Sequence, residues 1–217
     1  MDKHLDCLIT SAGFSRRMKK FKPLIHYENV PFILNIILKT SLVCRKIFIV
    51  LGYRSEEIQK SVEDWLHRHK APELSEKSPF SQDLLYQAKN KLSYMYHQNY
   101  AEGMFSSIQH GLKSMKDSQW ILLHFVEQPH IPAKFYQEFA GQINPDYHWI
   151  QPQHQGKNGH PVIINKYFAD TVLNAPPDST LKSCSKQKDV KKKLWNCSYS
   201  QVLTDFNTPG DILNGDL

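Results

Sequence analysis

The sequence predicts an α/β fold, a mostly parallel sheet covered by helices on both faces, with a small antiparallel hairpin. Three observations carry this. Leu5–Ser11, Lys46–Leu51 and Trp120–Val126 are short continuous apolar runs of the length and composition of buried strands. Segments with apolar residues at helical spacing stand between them. The whole chain is 217 residues, enough for one substantial core with an insertion, so a single domain over 1–217 is expected.

Taken in order, Leu5–Ser11 ends in the small residues Ala12-Gly13 and opens the fold as a strand. Pro31 suits a first helical turn, and Phe32, Ile33, Ile36, Ile37 and Leu42 recur on one face after it. Lys46–Leu51 is a second strand, stopped by Gly52. Ser55 with Glu56-Glu57 starts a helix running to about Lys70. Residues 71–81, rich in Pro and Ser, read as a loop, followed by a helix at Gln82–Lys91 and a strand at Leu92–His97. A helix near Phe105–Met115, the strand Trp120–Val126 and a helix from about Pro132 to Gly141 continue the alternation. His148–Gln151 and Val162–Asn165 flank a turn containing Asn158-Gly159, a hairpin signal. The tail reads as a Lys-rich helix, a strand near Ser198–Leu203 and a short helix after Thr208-Pro209.

No apolar run approaches the roughly 18–20 residues of a membrane span. Met1-Asp2-Lys3-His4 leads straight into a strand, so no signal peptide is expected. Cys7, Cys44, Cys184 and Cys197 lack CxxC spacing and read as buried or incidental thiols in a reducing cytoplasm. The net charge of +6 points to an anionic partner, with the excess concentrated in Arg16–Lys22 and Lys182–Lys193. Nucleic acid ranks low as that partner, because no aromatic stacking motif accompanies the charge.

Ligands of open α/β sheets bind beyond the carboxyl ends of the strands. Three segments lie there. In 11–23, small residues admit a close ligand, backbone N–H groups can form an anion nest, and Arg17 and Lys22 supply a fork and a point charge for phosphate. Neither GxxxxGK[ST] nor GxGxxG is present, and a plain basic loop with an incidental glycine is an even alternative. Glu127, at the tip of the most apolar strand, is placed to hold a hard cation or, as commonly, to be a solvated strand end. Asp205-Phe206-Asn207-Thr208-Pro209 reads as a helix N-terminus, which does not exclude metal ligation by Asp205 or Asn207.

These segments, in this order, resemble the nucleotidyltransferases of molybdenum-cofactor biosynthesis, in particular the molybdopterin cytidylyltransferase-like group. The family loop AAGxSxRMGxxK stands here as Ser11-Ala12-Gly13-Phe14-Ser15-Arg16-Arg17-Met18-Lys19-Lys20-Phe21-Lys22. Val50-Leu51-Gly52-Tyr53, 99–107, Glu127-Gln128-Pro129, 158–162 and 205–209 match further motifs. The resemblance implies a Rossmann-like three-layer α/β/α nucleotidyltransferase fold over nearly the whole chain. It implies that Ala12, Gly13, Ser15, Arg17 and Lys22 hold a triphosphate, Gly52 lies near the base, and Gly103, Met104, Ser106 and Ser107 lie near base and ribose. Glu127 falls at the metal-binding Asp of a Gly-Asp-Gln-Pro motif, Asn207 or Asp205 is the second metal-side residue, and His160 faces the acceptor. For His160 a turn-flanking polar residue is an equal alternative. Lys19, Ser11, Tyr53 and Val126-Glu127 depart from the family's Gly, Ala, His and Gly-Asp. About twenty extra residues, at about 66–91, form an insertion that would cap the pocket or form a contact surface.

The implied activity is Mg²⁺-dependent transfer of an NMP group, CMP from CTP, to a phosphorylated acceptor such as a molybdopterin, with release of pyrophosphate. The competing reading is a nucleotide- or cofactor-binding protein that kept the fold and lost turnover, to which Glu127, Val126 and Lys19 point.

Overall fold

The computed structural model describes residues 4–18, 20–68 and 81–214. Its centre is β1 (Leu5–Ser11), buried along its whole length and paired in parallel with β4 (Ile47–Leu51) on one side and β6 (Trp120–Phe125) on the other. β5 (Leu92–Tyr96) extends the sheet beyond β4, also in parallel. Past β6 one strand runs the other way: β9 (Val162–Asn165) is antiparallel to β6 and to β7 (Trp149–His154), and β10 (Lys192–Asn196) closes that edge parallel to β7. The order is β10-β7-β9-β6-β1-β4-β5, with β8 (Lys157–Asn158) paired to β7. A separate ribbon joins β2 (His26–Tyr27) to β3 (Val30–Pro31).

Period-two alternation along β1 builds two cores. Leu5, Cys7 and Ile9 face one layer with Ile47, Ile49 and Leu122, while Leu8 faces the other with Val50, Ile121 and Leu123. Against the first layer lie α1 (Phe32–Ser41), α2 (Ser55–Arg68), α3 (Gln82–Lys91) and α5 (Ala133–Ala140). α4 (Met104–Lys113), α6 (Lys166–Leu173) and α7 (Leu181–Cys184) cover the second, and α8 (Pro209–Asn214) ends the described chain. All ten residues of α1 are buried: Asn35 Nδ2 donates to the Tyr27 and Val30 carbonyls and Thr40 to that of Ile36, while Asn35 Oδ1 is buried without a partner. The four cysteines are free, with Cys7, Cys44 and Cys184 buried. Among the described residues no helix is long and apolar enough to cross a membrane.

Most sequence expectations hold, and three need correction. The hairpin is present, but the register Gln153↔Asn158 and His154↔Lys157 leaves Gln155-Gly156 as its two-residue loop, with φ of 48° and 76°. Two successive left-handed residues are the signature of a hairpin turn matched to strand twist. Gly159 serves another purpose, since a Cβ there would sit 2.5 Å from Val202 Cγ2 and 2.6 Å from the Val202 carbonyl oxygen. Lys191–Lys193 lead into edge strand β10 rather than a helix, because Trp195 stacks on Phe139 (ring centroids 5.5 Å, 15°) only from an extended chain. Residues 200–203 form a 3-10 turn, not a strand, with Val202 alone buried among them. Within the insertion, α3 packs on α1 and bonds it through Lys91 Nζ to the Ser41 carbonyl at 2.6 Å, and the described part lines no wall of the cleft. The expected loop at 71–81 lies outside the described residues apart from Ser81, the N-cap of α3.

Two expected outcomes follow from this packing. Gly159→Ala forces a methyl into the Val202 backbone and should lower stability by about 1–3 kcal/mol, read as a lower urea midpoint at unchanged slope. Burial holds His124 at about 3 and His130 at about 4, below the usual 6.5. The unfolded chain therefore binds more protons than the folded one as pH falls from about 6.5 towards 4, and stability is lost across that window. Thermal unfolding followed from pH 7 to pH 4 should show the fall, and a flat profile would contradict neutral burial of these imidazoles.

Candidate nucleotide site

β1 leads across one face to β4 and β5, while β6 lies on β1's other side, so the strand order reverses beside β1. A crevice opens at the carboxyl ends of strands where order reverses in this way. Here the crevice is a cleft of about 300 Å³, walled by residues 10–18 after β1, Val126-Glu127 after β6, and the start of α4. Ser15 holds a left-handed backbone (φ 54°), and its carbonyl accepts from the Met18 N–H at 3.1 Å, folding the loop into a short turn that points Arg17 at the cleft. Ser11 Oγ is buried there with no hydrogen-bond partner in the protein.

Lys22 stands at the cleft wall, only 5% exposed. Its ammonium donates to Glu127 Oε1 at 2.7 Å and to Asn207 Oδ1 at 3.0 Å, and Arg17 Nη2 also donates to Asn207 Oδ1 at 3.3 Å. Three segments remote in sequence thus meet at one cation. Asp205 is not among the residues lining the cleft. Partial desolvation, and then the Glu127 carboxylate, raise its carboxyl above the ordinary range, against the pull of Lys22 and Arg17. The donors gathered here are carboxylate and amide oxygens, the hard ligand type that suits Mg²⁺ or Mn²⁺. Among the described residues no group of three or more His, Cys, Asp or Glu side chains forms a metal cage, so phosphate and water would complete any coordination shell.

The loop carrying Glu127 is fastened to the segment carrying Asn207. The Phe206 N–H donates to the Glu127 carbonyl at 2.9 Å, and Gln128 Nε2 donates to the carbonyls of Val202 and Thr204, each at 3.3 Å. His130 Nε2 donates to the Gln201 carbonyl at 3.2 Å, and its ring stacks on Phe206 at 4.3 Å. From beneath, the buried Lys39 amine, pulled down to about 8 by burial, donates to the Pro129 carbonyl at 2.6 Å. At the end of β6, His124 Nδ1 donates to the Phe125 carbonyl, so its Nε2 accepts from the Tyr136 hydroxyl at 2.7 Å.

Across the cleft, Ala12, Gly13, Gly103, Met104 and Ser107 line the wall. A Cβ at Gly13 or Gly103 would meet no protein atom within 4 Å, and Gly103 needs its φ of 111° to start α4. The hydroxyls of Ser106 and Ser107 turn back onto the Gly103 carbonyl (2.9 and 3.2 Å), and Ser106 also meets His97 Nε2. Neither Ser106 nor Gly52 lines the cleft. A Cβ at Gly52 would lie 2.6 Å from Tyr100 Cβ, so Gly52 makes room for Tyr100. Tyr100 and Phe14, which sequence reasoning passed over, form an aromatic wall (centroids 5.3 Å), with Arg16 over Phe14 at 4.7 Å. The signal was an aromatic residue inside each of two glycine-containing loops.

His160 is absent from this cleft and lines a second cavity of about 790 Å³ next to it, the two sharing Met104 and Phe125. β9 brings it there: antiparallel pairing of Val162 with Leu123 sets His160 edge-on against Phe125 (centroids 5.3 Å). Burial lowers the imidazole below its ordinary value, with Glu127 opposing, and its Nδ1 is buried without a partner in the protein.

A model of the MobA-like NTP transferase domain matches residues 7–192. The chain is 22% identical over 211 residues to the molybdenum cofactor cytidylyltransferase of Escherichia coli (strain K12), covering 96% of this chain and 94% of that protein. Among solved structures it is similar to a nucleotidyl transferase from Methanothermobacter thermautotroptrophicus (TM-score 0.73, 13% identity, 97% and 94% of the two chains). It is similar also to Rv0371c of Mycobacterium tuberculosis H37Rv in complex with manganese (TM-score 0.70, 11% identity, 97% of each chain). The fold is shared with both, and since the domain match runs from β1 to the start of β10, the chain belongs to the MobA-like NTP transferase family of nucleotidyltransferases.

Proposed function

We propose that the chain transfers CMP from CTP to a phosphate on a molybdopterin-like acceptor and releases pyrophosphate. The observation that carries this is the Lys22 ammonium held between Glu127 and Asn207 at the wall of a cleft whose rim bears Arg17. The choice of CTP and of a molybdopterin is supported by the name of the Escherichia coli relative.

The 11–18 loop would take the triphosphate through Gly13, Ser15 and Arg17, with the unpartnered Ser11 hydroxyl as a further donor. An ammonium has three N–H donors. Two of those on Lys22 are bound to Glu127 and Asn207, which leaves one for an α-phosphoryl oxygen. An oxygen of the acceptor phosphate attacks the α-phosphorus, a new P–O bond forms, and the bond to the β-phosphate oxygen breaks in line. The nucleophile is already anionic, so no general base is required. Lys22 offsets charge growing on the α-phosphoryl group and Arg17 that on the leaving pyrophosphate. Mg²⁺, held by Glu127 and Asn207 with Asp205 nearby, would neutralise triphosphate charge when bound. His160, kept neutral by burial, would meet the acceptor as a hydrogen-bonding group, not as a cation.

Lys19 and Val126-Glu127 depart from the Gly and Gly-Asp of the family pattern, and this favours a second reading, a binder of NTP without turnover. Lys22→Ala should cost about 2–3 kcal/mol of transition-state stabilisation, roughly a 30- to 150-fold loss in pyrophosphate release with CTP and Mg²⁺. Unchanged turnover in that variant would end the mechanism. Glu127→Asp should change the rate without creating activity absent from the wild type. If both proteins are stabilised against heat by an NTP with Mg²⁺ and neither releases pyrophosphate, the chain is a binder.

A further inference from the structure

The second cavity has an uneven chemical lining. Phe105 and Ile108 of α4, Phe125 of β6 and Trp149 of β7 give it an apolar, aromatic part, next to the polar Gln151, Asn158 and His160. Towards the β10 edge of the sheet, α7, the turn after it and the start of β10 bring in Lys182, Lys186 and Lys192, with Lys192 the cross-strand partner of Trp149. The Lys192 ammonium donates to Ser185 Oγ at 3.2 Å, which turns it inward. Partial desolvation and the neighbouring Lys186 charge pull that amine below its ordinary value, as expected where like charges crowd without an anion between them. Two carboxylates, Glu102 and Asp178, also border the cavity, and neither forms an ion pair with these lysines within 4 Å among the described residues. At about 790 Å³ the space suits a small organic molecule rather than a single ion.

We propose that this cavity binds a molecule with a planar apolar body and an anionic group at the end remote from the nucleotide cleft, the anion being held by Lys182, Lys186 and Lys192. The inference deepens the reading of this cavity as the acceptor's, and rests on it for the word acceptor alone. The acceptor would then carry two anionic ends. One is the phosphate presented at Met104 and Phe125, where the cavities meet, and the other lies against the lysines. Selection would work by exclusion as well as attraction, because an acceptor lacking the distal charge leaves the lysine end of the cavity without a counter-charge.

Two fluorescent dyes isolate that charge. 8-Anilinonaphthalene-1-sulfonate and N-phenyl-1-naphthylamine share an aromatic body, and only the first carries an anion. The full-length wild type should bind the sulfonate the more tightly. Lys182→Gln/Lys186→Gln/Lys192→Gln should weaken sulfonate binding about tenfold, the scale of losing several partly exposed charge contacts, and leave the uncharged dye unaffected. Lys191→Gln/Lys193→Gln, outside the cavity lining, should change neither. If the triple variant binds the sulfonate as the wild type does, or if the wild type shows no preference for it, the subsite does not exist. Thermal stabilisation by CTP with Mg²⁺, measured on the same proteins, separates the two readings. Its absence from the wild type counts against nucleotidyl transfer and leaves the dye comparison intact, whereas its retention in the triple variant confines the loss to the second cavity.

Discussion

A single buried ammonium organises the site. Taking a lysine out of water costs several kcal/mol unless its donors are matched, and removing one partner of such a pair leaves a charge uncompensated. Lys22 meets that demand with one carboxylate and one amide oxygen drawn from positions 105 and 185 residues further along the chain. The three segments cannot be displaced independently, because each carries a group the others must satisfy. Parallel pairing of β1 with β6 is what makes the meeting possible: adjacent strands running the same way end side by side, so the loop after one faces the loop after the other.

Rigidity around this contact comes from backbone acceptors rather than from further ion pairs. Gln128, His130 and the Phe206 N–H knit the Glu127 loop to 201–206, and Lys39 holds it from the α1 side. The imidazoles of His124 and His130 are buried as neutral groups, each donating one N–H to a carbonyl. Neutral donors avoid the desolvation cost of additional cations next to Lys22 and Arg17, and they leave the positive charge of the site directed into the cleft.

Much of this architecture was legible in the sequence, for identifiable reasons. Leu5–Ser11 and Trp120–Val126 read as strands because central parallel strands are apolar on both faces, and the helix expected at Gln82–Lys91 is α3, with Ser81 as its cap in the structure. The misreadings arose where a distant partner decides the local structure. Asn158-Gly159 carries the stronger turn signal, but cross-strand register assigns the turn to Gln155-Gly156 and uses Gly159 for contact with Val202. Lysines at 191–193 suit a helix until Trp195 finds Phe139 across the layer. Within the site, the ordered motifs marked Lys22, Glu127 and Asn207 as candidates, but their spacing says nothing of distance, and only the fold brings the Glu127 and Asn207 oxygens within 3.0 Å of the Lys22 ammonium. The aromatic wall of Phe14 and Tyr100 escaped notice because an aromatic residue in a glycine-containing loop does not by itself tell a ring facing a cleft from one facing a core.

The Glu at 127 acquires a structural meaning from the same geometry. Its backbone is fixed, since its carbonyl accepts the Phe206 N–H, so the length of the side chain alone determines how far the carboxylate reaches. An aspartate on that backbone would end about 1.5 Å short, one carbon–carbon bond, and a 2.7 Å contact with Lys22 would open beyond hydrogen-bonding distance without a compensating shift. The Lys22–Glu127 pair is therefore matched in length, and the extra methylene serves the ammonium's requirement for a partner in the cleft wall.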